Sequence, residues 1–218
     1  RATVHIAGMG LYELFINGQR IGDQVLAPAP TDYRKTILYN TYDVTPQLRK
    51  ENAIGVTLGN GRFYTMRQNY KPYKIPTFGY PKLRLNLIVE YMDGSKETIA
   101  TNTSWKLTTE GAIRSNNEYD GEEYDARKEL GNWTQSGYDD KSWIAAQRVS
   151  IPSGTLRAQI MPGMKVMDTL KPVSIQKLGD KYILDFGQNM AGWMRFRIKG
   201  QAGDSIRPVS YTHLTLPT

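Results

Sequence analysis

An antiparallel, all-β sandwich is the fold class that this 218-residue sequence predicts. Three observations carry the prediction: tight-turn dipeptides between alternating apolar runs, further strand-like runs at short spacing, and almost no helical periodicity. Leu11-Tyr12-Glu13-Leu14-Phe15-Ile16 runs into Asn17-Gly18, which supplies the positive φ angles of a two-residue turn, and Gln19-Arg20-Ile21-Gly22 returns. Leu83 to Tyr91 places Leu85, Leu87 and Val89 on one face, turns at Met92-Asp93-Gly94-Ser95 and returns through Lys96 to Ala100. Further strands are expected at 36–42, 53–58, 105–109, 173–178, 182–186 and 193–198. The one helical turn expected is Val44 to Lys50, with Thr45 as cap and Pro46 at the tolerated first position. Between Arg148 and Lys171, Ile151-Pro152-Ser153-Gly154 and Met161-Pro162-Gly163-Met164 interrupt any regular pattern and predict a boundary.

Composition narrows the function classes. Hydrophobic residues at 39% and charged residues at 22% exclude the composition of a disordered chain. The absence of cysteine excludes disulfides, thiolate metal sites and a cysteine nucleophile. Only two histidines are present, His5 in a strand-like run and His213 near the C-terminus, so no histidine-based triad or metal site assembles. The net charge of +7 is spread along the chain rather than gathered in a run, which reads as a solvated basic surface and not a nucleic-acid site. No apolar stretch approaches the roughly 20 residues that span a bilayer, so no membrane partner is expected. Gly8-Met9-Gly10 and Leu58-Gly59-Asn60-Gly61-Arg62 lack the following helix and Lys-Ser/Thr of a phosphate loop and read as turn glycines.

Three segments remain as candidates. Asn116 to Arg127 concentrates the carboxylates of Glu118, Asp120, Glu122, Glu123 and Asp125. Such a cluster could do glycosidase acid/base work or ligate Ca²⁺ through Asp120, Glu122, Glu123 and Asp125, but it matches no calcium loop. With Arg114, Arg127 and Lys128 nearby, structural ion pairing is the simpler reading. Asn60 to Tyr80 mixes Asn60, Arg62, Tyr64, Arg67, Tyr70 and Tyr73 with two prolines, and aromatic faces beside amide and guanidinium donors suit the apolar face and hydroxyl rim of a sugar. The alternative is that these rings pack the sandwich edge or a neighbouring domain. In Gly22 to Arg34 the prolines fix an extended path, and Asp32 either accepts turn hydrogen bonds or touches a ligand.

Taken in register, Gly10-Leu11-Tyr12-Glu13-Leu14-Phe15-Ile16-Asn17-Gly18, Leu26-Ala27-Pro28 with Thr31-Asp32-Tyr33-Arg34-Lys35, and Tyr42-Asp43-Val44-Thr45 resemble the N-terminal region of bacterial α-L-rhamnosidases, glycoside hydrolase family 78. The resemblance continues through Leu58-Gly59-Asn60-Gly61, Tyr119-Asp120-Gly121-Glu122, Tyr124-Asp125-Ala126-Arg127, Gly137-Tyr138-Asp139-Asp140 with Trp143, Leu170-Lys171-Pro172-Val173 and Asp185-Phe186-Gly187-Gln188-Asn189-Met190-Ala191-Gly192-Trp193, and covers residues 1 to about 206. It implies a jelly-roll, galactose-binding-like sandwich over 1–150, a linker over 151–170 and the start of a concanavalin-like sandwich over 171–207. The inverting acid and base of such enzymes sit on a later (α/α)₆ barrel, so no catalytic residue is expected in this sequence.

The implied partners are rhamnose-containing glycans or glycosides and the barrel of the parent chain, which is expected to be periplasmic or secreted. No cofactor is required; Ca²⁺, with which some members hold rhamnose, is the candidate ion. Two departures stand out. Ala29-Pro30 replaces the Gly-Trp of some members, and residues 208–218 leave the family pattern and read as a non-native tail. Arg1 to Ile6 alternates like the middle of a strand, so the expectation is a fragment cut at both ends.

Overall fold

The structure, a computed structural model, describes residues 1–65, 77–118 and 121–209. The chain divides into two compact units, Arg1–Val166 and Met167–Thr218.

In the first unit β1 (Ala2–Met9), β2 (Leu11–Ile16), β3 (Gln19–Arg20), β4 (Thr36–Asp43), β5 (Ile54–Gly59), β6 (Lys82–Glu90), β7 (Lys96–Ala100), β8 (Lys106–Leu107), β9 (Ile113–Asn117), β10 (Gly121–Tyr124), β11 (Ile144–Ala145) and β12 (Thr155–Ala158) build the sheets. A five-stranded sheet has the order β12-β4-β1-β6-β7, and a three-stranded sheet the order β3-β2-β5. Successive strand residues point to opposite faces. In β1 this sends Ala2, Val4 and Ile6 inward, with Val4 opposite Leu87 and Ile6 opposite Leu85 on β6. These residues share one buried cluster with Tyr12, Leu14 and Ile16 of β2, so the core is the layer between the two sheets. The hydroxyl of buried Tyr12 donates to Asn40 Oδ1 at 2.8 Å and shares a hydrogen bond with the Tyr42 hydroxyl at 3.0 Å, which satisfies the buried Asn40.

The turn at Asn17-Gly18 has φ of 52° and 82°, as a two-residue hairpin requires. Gly10, at φ 112°, lets the β1–β2 connection pass against β5, where a Cβ would run into the Gly59 carbonyl.

A second buried cluster lies on the opposite face of the larger sheet, where Ala7, Met9 and Ile37 meet Tyr33 and Phe63. Two loops far apart in sequence therefore share one anchorage on the outside of the sandwich.

Several expectations are corrected. Thr45 does not cap the short 3₁₀ turn Thr45–Gln47: Val44 holds the cap position, and the Thr45 hydroxyl donates instead to Asp43 Oδ1 at 2.6 Å. Residues 155–158, read as irregular, form β12, and β12 runs parallel to β4 in an otherwise antiparallel sheet. A four-residue strand whose partner is more than a hundred residues away leaves no local periodicity to detect. The charged residues 113–117 and 121–124 form two strands, β9 paired antiparallel with β10, with Asn117 opposite Gly121. Residues 193–198 alternate but form no strand, because no partner strand takes up their backbone groups among the described residues.

In the second unit β13 (Ser174–Leu178) and β14 (Lys181–Asp185) pair antiparallel with Ile175 opposite Leu184. Gly179, at φ 62°, makes the turn.

Candidate functional site

At the end of β5 the chain makes one tight turn in which the Asn60 carbonyl accepts from the amides of Phe63 at 3.1 Å and Tyr64 at 3.3 Å. The Asn60 side chain clamps this turn to β9. Its amide group donates to the Asn116 carbonyl at 2.6 Å, while its backbone N–H donates to Asn116 Oδ1 at 3.2 Å. Arg62 Nη2 reaches Glu118 at 2.8 Å, and Asn116 Nδ2 donates to Glu122 at 3.3 Å. The loop rich in rings and amides and the acidic strand pair, separate candidates in the sequence, thus form one surface.

The described rings of the loop divide into two sets. Phe63 is fully buried, edge-on to Tyr33 at 4.9 Å and stacked on Phe78 at 5.5 Å. Lys82 lies over its face at 4.7 Å and donates to the carbonyls of Phe78 and Tyr80, and burial pushes its ammonium below the usual lysine range. Tyr64 and Tyr80 form the outer set, their rings 4.9 Å apart and tilted by 32°, with Tyr80 75% exposed. Desolvation, followed by the neighbouring Tyr80 hydroxyl, raises the Tyr64 phenol. The anchored inner rings hold an outer pair of half-buried Tyr64 and exposed Tyr80, which is a surface able to take the apolar face of a small polar molecule.

The remaining nominated residues fall elsewhere. Arg67, Tyr70 and Tyr73 lie outside the described residues, as does Asp120. Asp32 belongs to a turn: its carbonyl accepts from the amides of Lys35 and Thr36, and its carboxylate takes a two-pronged contact from Arg34 at 2.9 and 3.0 Å. That guanidinium holds the Asp32 carboxyl below its ordinary range. Asp125 caps the second 3₁₀ turn, Ala126–Lys128, and the guanidinium of Arg127, which it holds at 2.7 and 2.8 Å, lowers its carboxyl to about 2. Glu122 and Glu123 are neighbours on β10 and point to opposite faces. Among the described residues no three acidic or histidine side chains converge as a metal cage would need.

This surface sits on a fold with identified relatives. Residues 1–168 match the family model of the α-L-rhamnosidase N-terminal domain. The chain belongs to the α-L-rhamnosidase family. Residues 175–213 match the bacterial α-L-rhamnosidase concanavalin-like domain. The chain is similar to an α-L-rhamnosidase of Formosa agariphila, 40% identical over 96% of this chain and 22% of that protein, and to one of Streptomyces avermitilis, 37% identical over 95% of this chain and 20% of that protein. It spans about a fifth of the length of these relatives. Among solved structures, the α-L-rhamnosidase from Dictyoglumus thermophilum superposes with a TM-score of 0.79 at 45% identity, covering 86% of this chain and 20% of that one. The Streptomyces avermitilis α-L-rhamnosidase complexed with L-rhamnose also superposes at 0.79, with 35% identity over 87% of this chain and 18% of that one. This α-L-rhamnosidase segment is thus all-β, as its turn pattern predicts.

Tyr80 and Asn116 are the members of the surface that sequence reasoning did not nominate, and Glu118 entered it only as one of the five clustered carboxylates. All three lie inside the segments singled out. What was hidden was the 56-residue jump that joins Asn60 to Asn116 and Arg62 to Glu118.

Proposed function

We propose that this chain is a non-catalytic accessory module of an α-L-rhamnosidase, whose parent hydrolyses terminal α-L-rhamnosyl bonds with inversion, and that it takes rhamnose-containing glycans on the Tyr64–Tyr80 pair. The observation that carries the reading is the pair of half-buried Tyr64 and exposed Tyr80 held by a buried anchor, with Asn60 and Arg62 beside it. L-Rhamnose is a 6-deoxy sugar, and its methyl-bearing face is apolar enough to stack on such rings while its hydroxyls meet amides at the rim. A relative of the same fold crystallised with L-rhamnose supports this choice of sugar.

Calorimetric titration of the chain with L-rhamnose, with and without Ca²⁺, tests the reading. Heat of binding that Tyr64→Ala or Tyr80→Ala weakens at least tenfold is expected; silence in both conditions would sink it.

One set of contacts favours a second reading, a structural module against the parent's barrel. Arg62 and the Asn60 amide already have protein partners, so less of their donor capacity is left for a ligand. In that case rhamnose gives no heat, while Tyr64→Ala weakens association with the separately produced barrel.

A further inference from the structure

The face of the larger sheet turned away from the core carries a second concavity. Alternation that sends Val4, Ile6, Leu85 and Leu87 inward sends His5 and Ala7 of β1 and Arg84 and Asn86 of β6 outward. Register places His5 opposite Asn86 and Ala7 opposite Arg84. Tyr39 of β4 and Leu156 of β12 complete the walls of a groove of about 270 Å³. The small side chain of Ala7, 2% exposed, forms the floor and gives the groove its depth. The volume is just below the usual range of ligand pockets, roughly 300 Å³ and up, which limits an occupant to about one sugar ring.

The polar groups of this groove are largely unspent. Arg84 makes no hydrogen bond or ion pair among the described residues, and no carboxylate lines the groove. Asn86 and the Tyr39 hydroxyl likewise have no side-chain partner there. His5 uses Nδ1 toward Thr41 Oγ1 at 3.0 Å, which leaves Nε2 available, and its ring stands edge-on to Tyr39 at 5.8 Å. Several arginines of this unit have an acid beside them, as Arg34 with Asp32 and Arg62 with Glu118. Here a guanidinium lies in a concavity with amide and imidazole groups and an aromatic wall, and without an acid.

We propose that this groove binds a carboxylate-bearing monosaccharide unit, a uronate, with Arg84 holding the carboxylate. A planar guanidinium matches a carboxylate through two parallel N–H···O bonds. Asn86 and His5 then serve the ring hydroxyls, and Tyr39 with Leu156 covers the C–H face. Its floor, Ala7, belongs to the cluster that buries Phe63, and its wall Tyr39 packs against that cluster, but its polar groups are not those beside the Tyr64–Tyr80 pair, so the ligand assignment is tested separately from the rhamnose reading. An accessory module with both would grip a mixed acidic glycan at two points.

The experiment is an NMR titration of the full chain with sodium D-glucuronate, D-glucose and sodium sulfate at constant ionic strength, following the His5, Tyr39 and Asn86 signals. Saturable shifts with glucuronate, at least tenfold tighter than with glucose or sulfate, are expected. Arg84→Gln should weaken glucuronate at least tenfold, Arg84→Lys should give partial rescue, and Asn86→Ala, an independent second variant, should weaken it severalfold. Lys141→Gln, at an exposed lysine that does not line the groove, should leave it unchanged. Equal affinity for glucose, an equal response to sulfate as to any adventitious ion, an unaltered affinity in Arg84→Gln, or a loss in Lys141→Gln would each overturn the assignment.

Discussion

Two cross-strand pairs of the same kind meet different fates in the two units. Val4 and Leu87, opposite each other on β1 and β6, are 0% and 2% exposed, because the three-stranded sheet closes over them. Ile175 and Leu184, opposite each other on β13 and β14, are only paired within a hairpin, and Ile175 is 62% exposed. Both pairs sit in regular antiparallel ladders. The difference teaches that turn chemistry and alternation suffice to draw a hairpin, whereas burial needs a second layer. Removing apolar surface from water contributes about 25 cal/mol per Å², and a lone two-stranded hairpin is marginal without it.

The largest effect expected from this contrast is in amide hydrogen exchange. Amides of β1 and β6 should exchange about a thousandfold or more slower than those of β13 and β14. Equal protection in the two units would break the comparison outright.

Core truncation gives the next effect. Leu85→Ala or Ile6→Ala should cost the first unit about 2–5 kcal/mol in denaturant unfolding, and Phe63→Ala about 3–5 kcal/mol because it empties the centre of the outer cluster. Ile175→Ala should stay within about 0.5 kcal/mol in the same measurement. A comparable loss from Ile175→Ala would mean that the hairpin shares the core.

The sequence disclosed the first unit's hairpins because their information is local. Asn17-Gly18 admits few conformations other than the tight turn, and the Leu85-Leu87-Val89 alternation indicates which face of β6 goes inward. It did not disclose β12, whose register with β4 depends on a contact more than a hundred residues away, nor that 193–198 would alternate without pairing. The candidate surface follows the same division. Asn60, Arg62 and Tyr64 were readable as a residue mixture suited to a sugar. That Phe63 and Phe78 would anchor it, and that the β9–β10 pair would supply Asn116 and Glu118, depends on tertiary pairing and has no local signature. Asp32 and Asp125 show the converse, since each has its arginine two residues on, within reach of a turn. The register of whole motifs in the resemblance carried the family assignment, which no single residue did.

Smaller effects sharpen the account of the surface. Asn60→Ala removes a bond to the Asn116 carbonyl and should destabilise the first unit by about 1 kcal/mol while loosening the β9 amides in exchange measurements. Unchanged β9 protection would detach the loop from the β9–β10 pair.

The smallest effect is one of pH. The Asp125 carboxyl is held at about 2, below its ordinary 3.8, by Arg127. A depressed carboxylate adds stability that is present above the ordinary value and is lost as pH falls from about 4 toward 2. Carboxyl NMR should show Asp125 titrating near 2, and Arg127→Ala should return the midpoint toward 3.8. A midpoint that ignores Arg127 would contradict the geometry.

The central claim, recognition of rhamnose without its hydrolysis, is tested most directly by a single NMR experiment on the chain with para-nitrophenyl α-L-rhamnoside. The account predicts saturable shifts of the Tyr64 and Tyr80 ring signals while the glycoside stays intact through prolonged incubation. Release of nitrophenol, or a ligand that leaves both tyrosines unperturbed, would contradict it.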